Sequence, residues 1–363
     1  MQTTIRHRPR IRLDGWARHA AVQLACALVL ASGAASDPTA EITVGISWSN
    51  FQEERWKTDE RAIETELARH GAKVLSADAQ SSVEKQTADI ESLIARGADV
   101  LIVLPQDADA LIPAIRSAQR EGIPVIAYDR LMEMPGVLYV SFDNREVGRI
   151  QARVIQEQVA RGRYIFIKGS PQDPNAHFVH AGQLDVLQPA IDSGAIDVVG
   201  DQFIDGWLPE VAQQTTDQLL TANGDEVDAI VCSNDAMAGG VVAALAARGL
   251  HGTPLSGQDG DHAALNRVAR GVQTVSVWKD SRSLGRAAAD AAVRLAEGAS
   301  PSDIPGTVTW SEGPRRLAVE SVLLTPVGVT RKNLETVVDA GWIPRAALCR
   351  GTETSPPPAC KTP

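Results

Sequence analysis

From Glu41 to Leu324, short apolar runs and amphipathic helical stretches take turns almost without a break. Ile42–Ser47, Ala72–Ala77, Asp99–Leu104, Pro124–Tyr128 and Val137–Phe142 read as strands. So do Tyr164–Ile167, Ile196–Phe203, Val227–Cys232, Thr253–Ser256, Thr274–Val277 and Ser321–Leu324. The helical stretches carry their own start and stop signals. Ser81 and Ser82 can cap the helix that runs to Ala95, and Gly97 stops it. Pro209 suits a first helical turn, where its missing N–H costs nothing. Such alternation builds parallel strands with helices on both faces. About ten to twelve strands are too many for one comfortable doubly wound sheet. The expected architecture is therefore α/β: two doubly wound parallel sheets with a cleft between them. Crossings between the sheets are expected after Phe142 and near Trp278–Ser281. Beyond Asp339 the chain turns irregular, and the polar, Pro-rich stretch 352–363 reads as a surface strap or a disordered tail.

In an open α/β sheet the carboxyl ends of the strands line one crevice. Glu54-Arg55-Trp56, Asp129-Arg130, Asn175, Trp207, Asn234-Asp235, Gln258-Asp259 and Lys279 all fall at such ends. Residues far apart in sequence should therefore converge. Carboxylates, carboxamides, guanidinium groups, an ammonium and two indoles suit a neutral, polyhydroxylated ligand. Planar bidentate groups bond vicinal hydroxyls, and indole faces cover the C–H faces of a ring. Each residue also has a plain structural use. Trp56 and Trp207 read first as helix-face core. Asp129-Arg130 reads as an ion pair at a strand end, Asn175, Asn234 and Asp235 as helix caps, and Arg55 and Lys279 as solvated charges.

Enzyme signals are weak. No Gly-x-Gly-x-x-Gly follows the first strand and no Walker motif appears, so no nucleotide cofactor is expected. Gly169-Ser170-Pro171 is not a nucleophile elbow, and the seven histidines lack metal-ligand spacing. Asp129, Asp235 and Asp259 could in principle serve as paired glycosidase carboxylates, but hydroxyl acceptance is their simpler use. No catalytic residue, metal or cofactor is expected. A net charge of −10 argues against nucleic acid or anionic membrane as the main partner.

At the N-terminus, Arg6, Arg8, Arg10, Arg12 and Arg18 precede the apolar run Ala20–Leu30 and the small residues Ala31–Ala35. That is the pattern of a secretory signal covering residues 1–35 and cleaved near 34–36. Loss of five arginines and Asp14 would bring the net charge to about −14. Of four cysteines, Cys26 lies in the signal and Cys232 in an apolar strand, as a core thiol. Cys349 and Cys360 flank a Pro-rich stretch. In an exported chain they either close a disulfide or stay as two free thiols.

A series of short motifs occurs in order at compatible spacing. Val44-Gly45-Ile46 is followed by Glu54-Arg55-Trp56, Ala127-Tyr128-Asp129-Arg130, Ser141-Phe142-Asp143-Asn144 and Gly169-Ser170-Pro171. Gly200-Asp201-Gln202, Asp205-Gly206-Trp207-Leu208-Pro209-Glu210, Ser233-Asn234-Asp235-Ala236, Ser256-Gly257-Gln258-Asp259 and Leu323-Leu324-Thr325-Pro326 continue it. Together, over roughly Glu41 to Ile343, they resemble the D-xylose-binding proteins of bacterial ABC transporters, a type I periplasmic binding protein family.

The resemblance implies two α/β lobes joined by three hinge strands that close over a sugar. One lobe would be 41–142 plus 280–320, the other 143–279 plus 321–345, with 346–363 as a tail. Carried over by position, Arg55, Asp129 and Arg130 bond hydroxyls from the first lobe, and Trp56 covers one ring face. Asn175, Asn234 and Asp259 match residues of the second lobe, Trp207 covers the other ring face, and Lys279 reaches in near the hinge. Asp235 and Gln258 would support them. The implied protein is a monomeric periplasmic receptor that passes a monosaccharide, D-xylose, to a membrane permease. The same fold could instead take ribose, arabinose, galactose or glucose, or feed a membrane kinase. A secreted carbohydrate-active enzyme would turn over a glycoside. Leu131–Pro135 and His251–Pro254 are shorter than the family pattern. Pro174 and His177 stand where relatives often carry asparagine and lysine, which bears on sugar preference.

Overall fold

Thirteen strands and eleven α-helices follow one another among the residues that the computed structural model describes, 41–361. The expected signal segment and its cleavage region lie outside them. The strands are β1 (Thr43–Trp48), β2 (Lys73–Asp78), β3 (Val100–Val103), β4 (Val125–Tyr128), β5 (Val137–Phe142), β6 (Gly162–Lys168), β7 (Ile196–Phe203), β8 (Ala229–Cys232), β9 (Ser256–Asp259), β10 (Val275–Trp278), β11 (Val308–Trp310), β12 (Val319–Leu324) and β13 (Val327–Val329). The helices are α1 (Glu54–Arg69), α2 (Val83–Ala95), α3 (Ile112–Arg120), α4 (Asn144–Gln158), α5 (Pro174–Asp192), α6 (Pro209–Ala222), α7 (Asp235–Ala247), α8 (His262–Arg270), α9 (Ser281–Ala296), α10 (Glu335–Asp339) and α11 (Arg345–Leu348).

A seven-stranded sheet runs β11-β12-β5-β4-β3-β1-β2, parallel except for its edge strand β11. Two three-stranded sheets, β7-β6-β8 and β9-β10-β13, are joined by a parallel bridge between Ile230 and Leu255. The chain passes between the two groups at Asp143, at Lys279 and at Thr325-Pro326. The third passage differs from the expectation that 321–345 belongs with the second group. Val322–Leu324 pair with Val140–Phe142 of β5, because this apolar strand completes the first sheet.

The central strands are buried on both faces, as a parallel sheet between helices requires. On one face Val44, Ile46 and Trp48 pack with α1 and α9. On the other, Leu101 and Val103 pack with Ile90 and Leu93 of α2 and Ile115 of α3. Ile63, Leu67 and Leu284 are fully buried where α9 meets α1. At about 1.5–3 kcal/mol each, they hold α9 on the first sheet although it follows the last parallel strand of the second.

Helices α4 and α5 cross backbone to backbone. A Cβ on Gly148 would overlap the Val179 carbonyl oxygen, and one on Gly182 would overlap that of Arg145. This crossing fixes how the first helix after the sheet passage sits beside the helix that carries Asn175.

The structure departs from the sequence reading in two further places. β9 begins three residues later than the expected strand Thr253–Ser256, because Ser256–Asp259 pair with Val275–Trp278 and bury their polar side chains. β11 and β13 are three-residue antiparallel edge strands that carry no periodic pattern. Of the two readings of the tail, the structure up to residue 361 shows the strap. Cys349 and Cys360 form a disulfide with Cα atoms 5.4 Å apart. Leu348 and Ala359 are buried with Leu265 and Val268 of α8. Asn266 Nδ2 donates to the carbonyls of Leu348 (2.9 Å) and Arg350 (2.8 Å).

Candidate functional site

Arg55, Trp56, Asp129, Arg130, Asn175, Trp207, Asn234, Asp259 and Lys279 all line one small cavity, of about 20 Å³, at facing strand ends of the two sheet groups. Glu53, Asp173 and Gln258 complete its wall. It adjoins a larger cavity of about 340 Å³ that shares Glu53, Arg130, Asp173 and Trp207.

Arg55, in the first turn of α1, is the electrostatic centre. Its Nη2 is 2.9 Å from Asp129 Oδ2, its Nη1 donates to Asp259 Oδ1 at 3.2 Å, and its Nε donates to Asp59 Oδ2 at 3.4 Å. Lys279 Nζ reaches the same Asp259 oxygen at 3.0 Å. The side chains of Arg55 and Lys279 are each 3% exposed, so neither is a solvated surface charge. Burial alone would lower the Arg55 pKa, but Asp129, Asp59 and Asp259 together hold it well above its ordinary value. Burial likewise opposes ionisation of Asp129. Arg55, Lys279 and Arg130 outweigh it and keep that carboxyl below its usual range.

Asp129 and Arg130 do not pair with each other. Asp129 has a left-handed backbone (φ 59°), and the two side chains find different partners. Arg130 Nε lies 2.8 Å from Asp173 Oδ2, and its Nη1 donates to the Pro105 carbonyl at 3.1 Å. Asn175 Nδ2 donates to Asp129 Oδ1 at 3.0 Å, and Asn144 Nδ2 donates to Asn175 Oδ1 at 3.0 Å. Asn175 is not the helix cap: Asp173 is, its carboxylate accepting from the Asn175 N–H at 2.9 Å. Asn234 does cap α7, through Met237 N at 3.0 Å. One residue therefore serves helix and cavity together.

The two indoles are both core and wall. Trp56 packs with Trp48 and Tyr128, with the Arg55 guanidinium 4.4 Å from its ring centroid. Trp207 packs among Ile167, Ile204 and Met237, and its Nε1 donates to Asp173 Oδ2 at 3.2 Å. Any side chain at position 169 would overlap the Trp207 ring, which accounts for Gly169. Four buried polar atoms of wall residues have no hydrogen-bond partner in the protein: Asp129 Oδ2 and Arg130 Nε, which are held in ion pairs, and Trp56 Nε1 and Gln258 Oε1, which are not.

Asp235 stands behind the wall. Its Oδ2 accepts from Gly260 N (3.0 Å), Asp261 N (3.1 Å) and Ser276 Oγ (2.5 Å), and its Oδ1 accepts from Gln273 Nε2 (2.7 Å). It thereby holds the turn that follows Asp259. Glu53 and Asp173 were not singled out from the sequence. Their roles depend on where Arg130 points, and only the turn at Asp129 decides that.

Three carboxyls whose ionisation burial opposes set a pH dependence, and one is Glu53, pushed from 4.5 to about 7. Burial pushes Asp59, which accepts from the Tyr128 hydroxyl, from 3.8 to about 6. Burial pushes Asp235 from 3.8 to about 7 despite Arg267. Between the ordinary and raised values the folded chain holds protons that the unfolded chain has released. These groups therefore make unfolding free energy fall as pH rises through that window. Asp59→Asn should flatten the slope between about pH 4 and pH 6. Urea melts at stepped pH measure this, and an unchanged slope would refute it.

Residues 44–300 match the model of the periplasmic binding protein domain family. The D-xylose-binding periplasmic protein of Escherichia coli (strain K12) is 41% identical over 305 residues, which is 83% of this chain and 91% of that protein. The multiple sugar-binding periplasmic receptor ChvE of Rhizobium radiobacter is 32% identical over 344 residues, 89% of this chain and 95% of the receptor. Among solved structures, an ABC transporter solute binding protein from Clostridium phytofermentans with bound β-D-glucose superposes with a TM-score of 0.76. It is 30% identical, and the match covers 84% of this chain and 99% of that one. With two sheet groups facing each other across a polar cavity, and with these matches over most of its length, the chain belongs to the type I periplasmic binding protein family.

Proposed function

We propose that this protein is a periplasmic receptor, not an enzyme, that captures a monosaccharide, D-xylose first, and delivers it to an ABC transporter permease. The observation that carries the reading is the convergence of Arg55, Asp129, Arg130, Asn175, Asp259 and Lys279 on one cavity in a chain 41% identical to a D-xylose-binding protein. In this reading the lobes are 41–142 plus 280–324 and 143–279 plus 325–345. Ligand hydroxyls take hydrogen bonds from the charged and amide groups of both. Trp56 and Trp207 cover the two faces of the sugar. The buried polar groups of the wall reject analogues that leave them unpaired. Residues 1–35 are a cleaved export signal, and the mature protein is a monomer. A broader sugar range is the second reading, favoured by the likeness to a multiple sugar-binding receptor and to a protein holding β-D-glucose.

Thermal melting of residues 36–363 against pentoses and hexoses tests both. A sugar at 100 times its Kd adds about 2.7 kcal/mol, a shift of several degrees. D-xylose should give that shift in the wild type and not in Trp207→Ala or Asp259→Ala. A shift with another sugar alone would replace xylose. No shift with any monosaccharide would overturn the receptor reading.

A further inference from the structure

The turn that carries Asp259 is gripped from several sides, and one grip comes from beyond residue 300, where the family match ends. Asp259 and Gly260 have φ values of 99° and 78°, a left-handed backbone that an aspartate keeps only when its surroundings fix it. Asp235 accepts from the Gly260 N–H. The Trp278 ring lies so close that a Cβ on Gly260 would overlap it. The Gly260 carbonyl accepts a 2.6 Å hydrogen bond from Trp342 Nε1.

Trp342 also reaches the neighbouring turn. The Arg282 guanidinium sits 5.1 Å from its ring centroid and donates to the Ala340 carbonyl at 3.0 Å. Arg282 pairs with Asp280 at 2.8 Å, next in sequence to Lys279. Trp342 thus touches the supports of both members of the Asp259–Lys279 pair. It is anchored in turn: its ring packs against Trp278 at 5.7 Å, and its carbonyl is hydrogen-bonded to His262 Nε2 at 2.8 Å. Ile343 and Leu348 after it are buried in the strap that Cys349–Cys360 closes.

We propose that Trp342 is a positioning residue for sugar binding, setting the spacing of Asp259 and Lys279 through the Gly260 carbonyl and Arg282. The C-terminal strap is then a working part of the site. This rests on the receptor reading above. A tryptophan needed only as apolar cover would not require its N–H to meet the carbonyl of this one turn.

Trp342→Phe keeps an aromatic ring and removes the donor. Isothermal titration with D-xylose well below the melting point should show affinity about tenfold weaker, with the sugar-free melting temperature close to wild type. Leu187→Ala, a cavity in a second-lobe core cluster that holds no residue of the cavity wall, should do the reverse: a lower melting temperature and unchanged affinity. Unchanged affinity in Trp342→Phe, beside a wild type that binds, overturns this inference and leaves the function standing. Affinity that follows stability in both variants overturns it too. A wild type that binds no monosaccharide overturns the function, and this with it.

Discussion

Arg55→Met should cost about 3–5 kcal/mol of unfolding free energy at neutral pH and abolish monosaccharide binding. The substitution leaves Asp59, Asp129 and Asp259 buried beside one another without the cation that all three share. Lys279 still reaches Asp259, and Tyr128 still donates to Asp59, but Asp129 loses its nearest positive charge. The sign with pH follows. Like charges raise carboxylate pKa values, so the variant gains from protonation, and its deficit should shrink as pH falls. Urea melts of both proteins at pH 7 and at about pH 4.5 make the comparison. A deficit that stays below about 1 kcal/mol, the size of a surface ion pair, or that grows in acid would show that Arg55 does not hold this cluster. Arg55→Lys should recover part of the stability and little of the binding, because one ammonium cannot serve carboxylates in several directions with a planar fork.

Gly148→Ala should lower stability by about 3 kcal/mol, the upper end for overpacking, because the added methyl meets backbone and not a flexible side chain. The effect should also reach the cavity. α4 and α5 carry Asn144 and Asn175 near their N-terminal ends, and these bond each other at 3.0 Å. Asn175 in turn donates to Asp129. Helices forced apart at Gly148 and Gly182 pull that chain of bonds apart, so sugar affinity should fall with stability. Calorimetric melting and titration read the two effects. A variant that melts within a degree of the wild type would show that the crossing can give.

Much of this was legible in the sequence, for reasons that particular segments make plain. Asp99–Leu104 announces a strand because both its faces are apolar, and a run buried on both sides needs no alternation to be seen. Ser256–Asp259 hides because its side chains are polar, and only its pairing with β10 makes it a strand. The wall residues could be named because they sit at strand ends, and α/β topology brings those together whatever the loops do. Their partners could not. The sequence places Asp129 beside Arg130, yet one turns to Arg55 and the other to Asp173. Asn175 reads as a cap until Asp173, two residues earlier, takes that role. Trp342 lies in a stretch without periodicity, where local pattern says nothing about a contact reaching back to residue 260.

The route of the chain through the first sheet has a consequence for biosynthesis. β12, which pairs with β5, and α9, which roofs α1, are both made only after β6–β10. A growing chain that has reached Trp278 therefore exposes the β5 edge and the apolar face of α1. Such long-range closure is slow, because distant segments must meet before either is rewarded. The first lobe cannot finish as an N-terminal unit while synthesis continues. The first sheet and the α1–α9 layer over it therefore close only once the last third of the chain has been made.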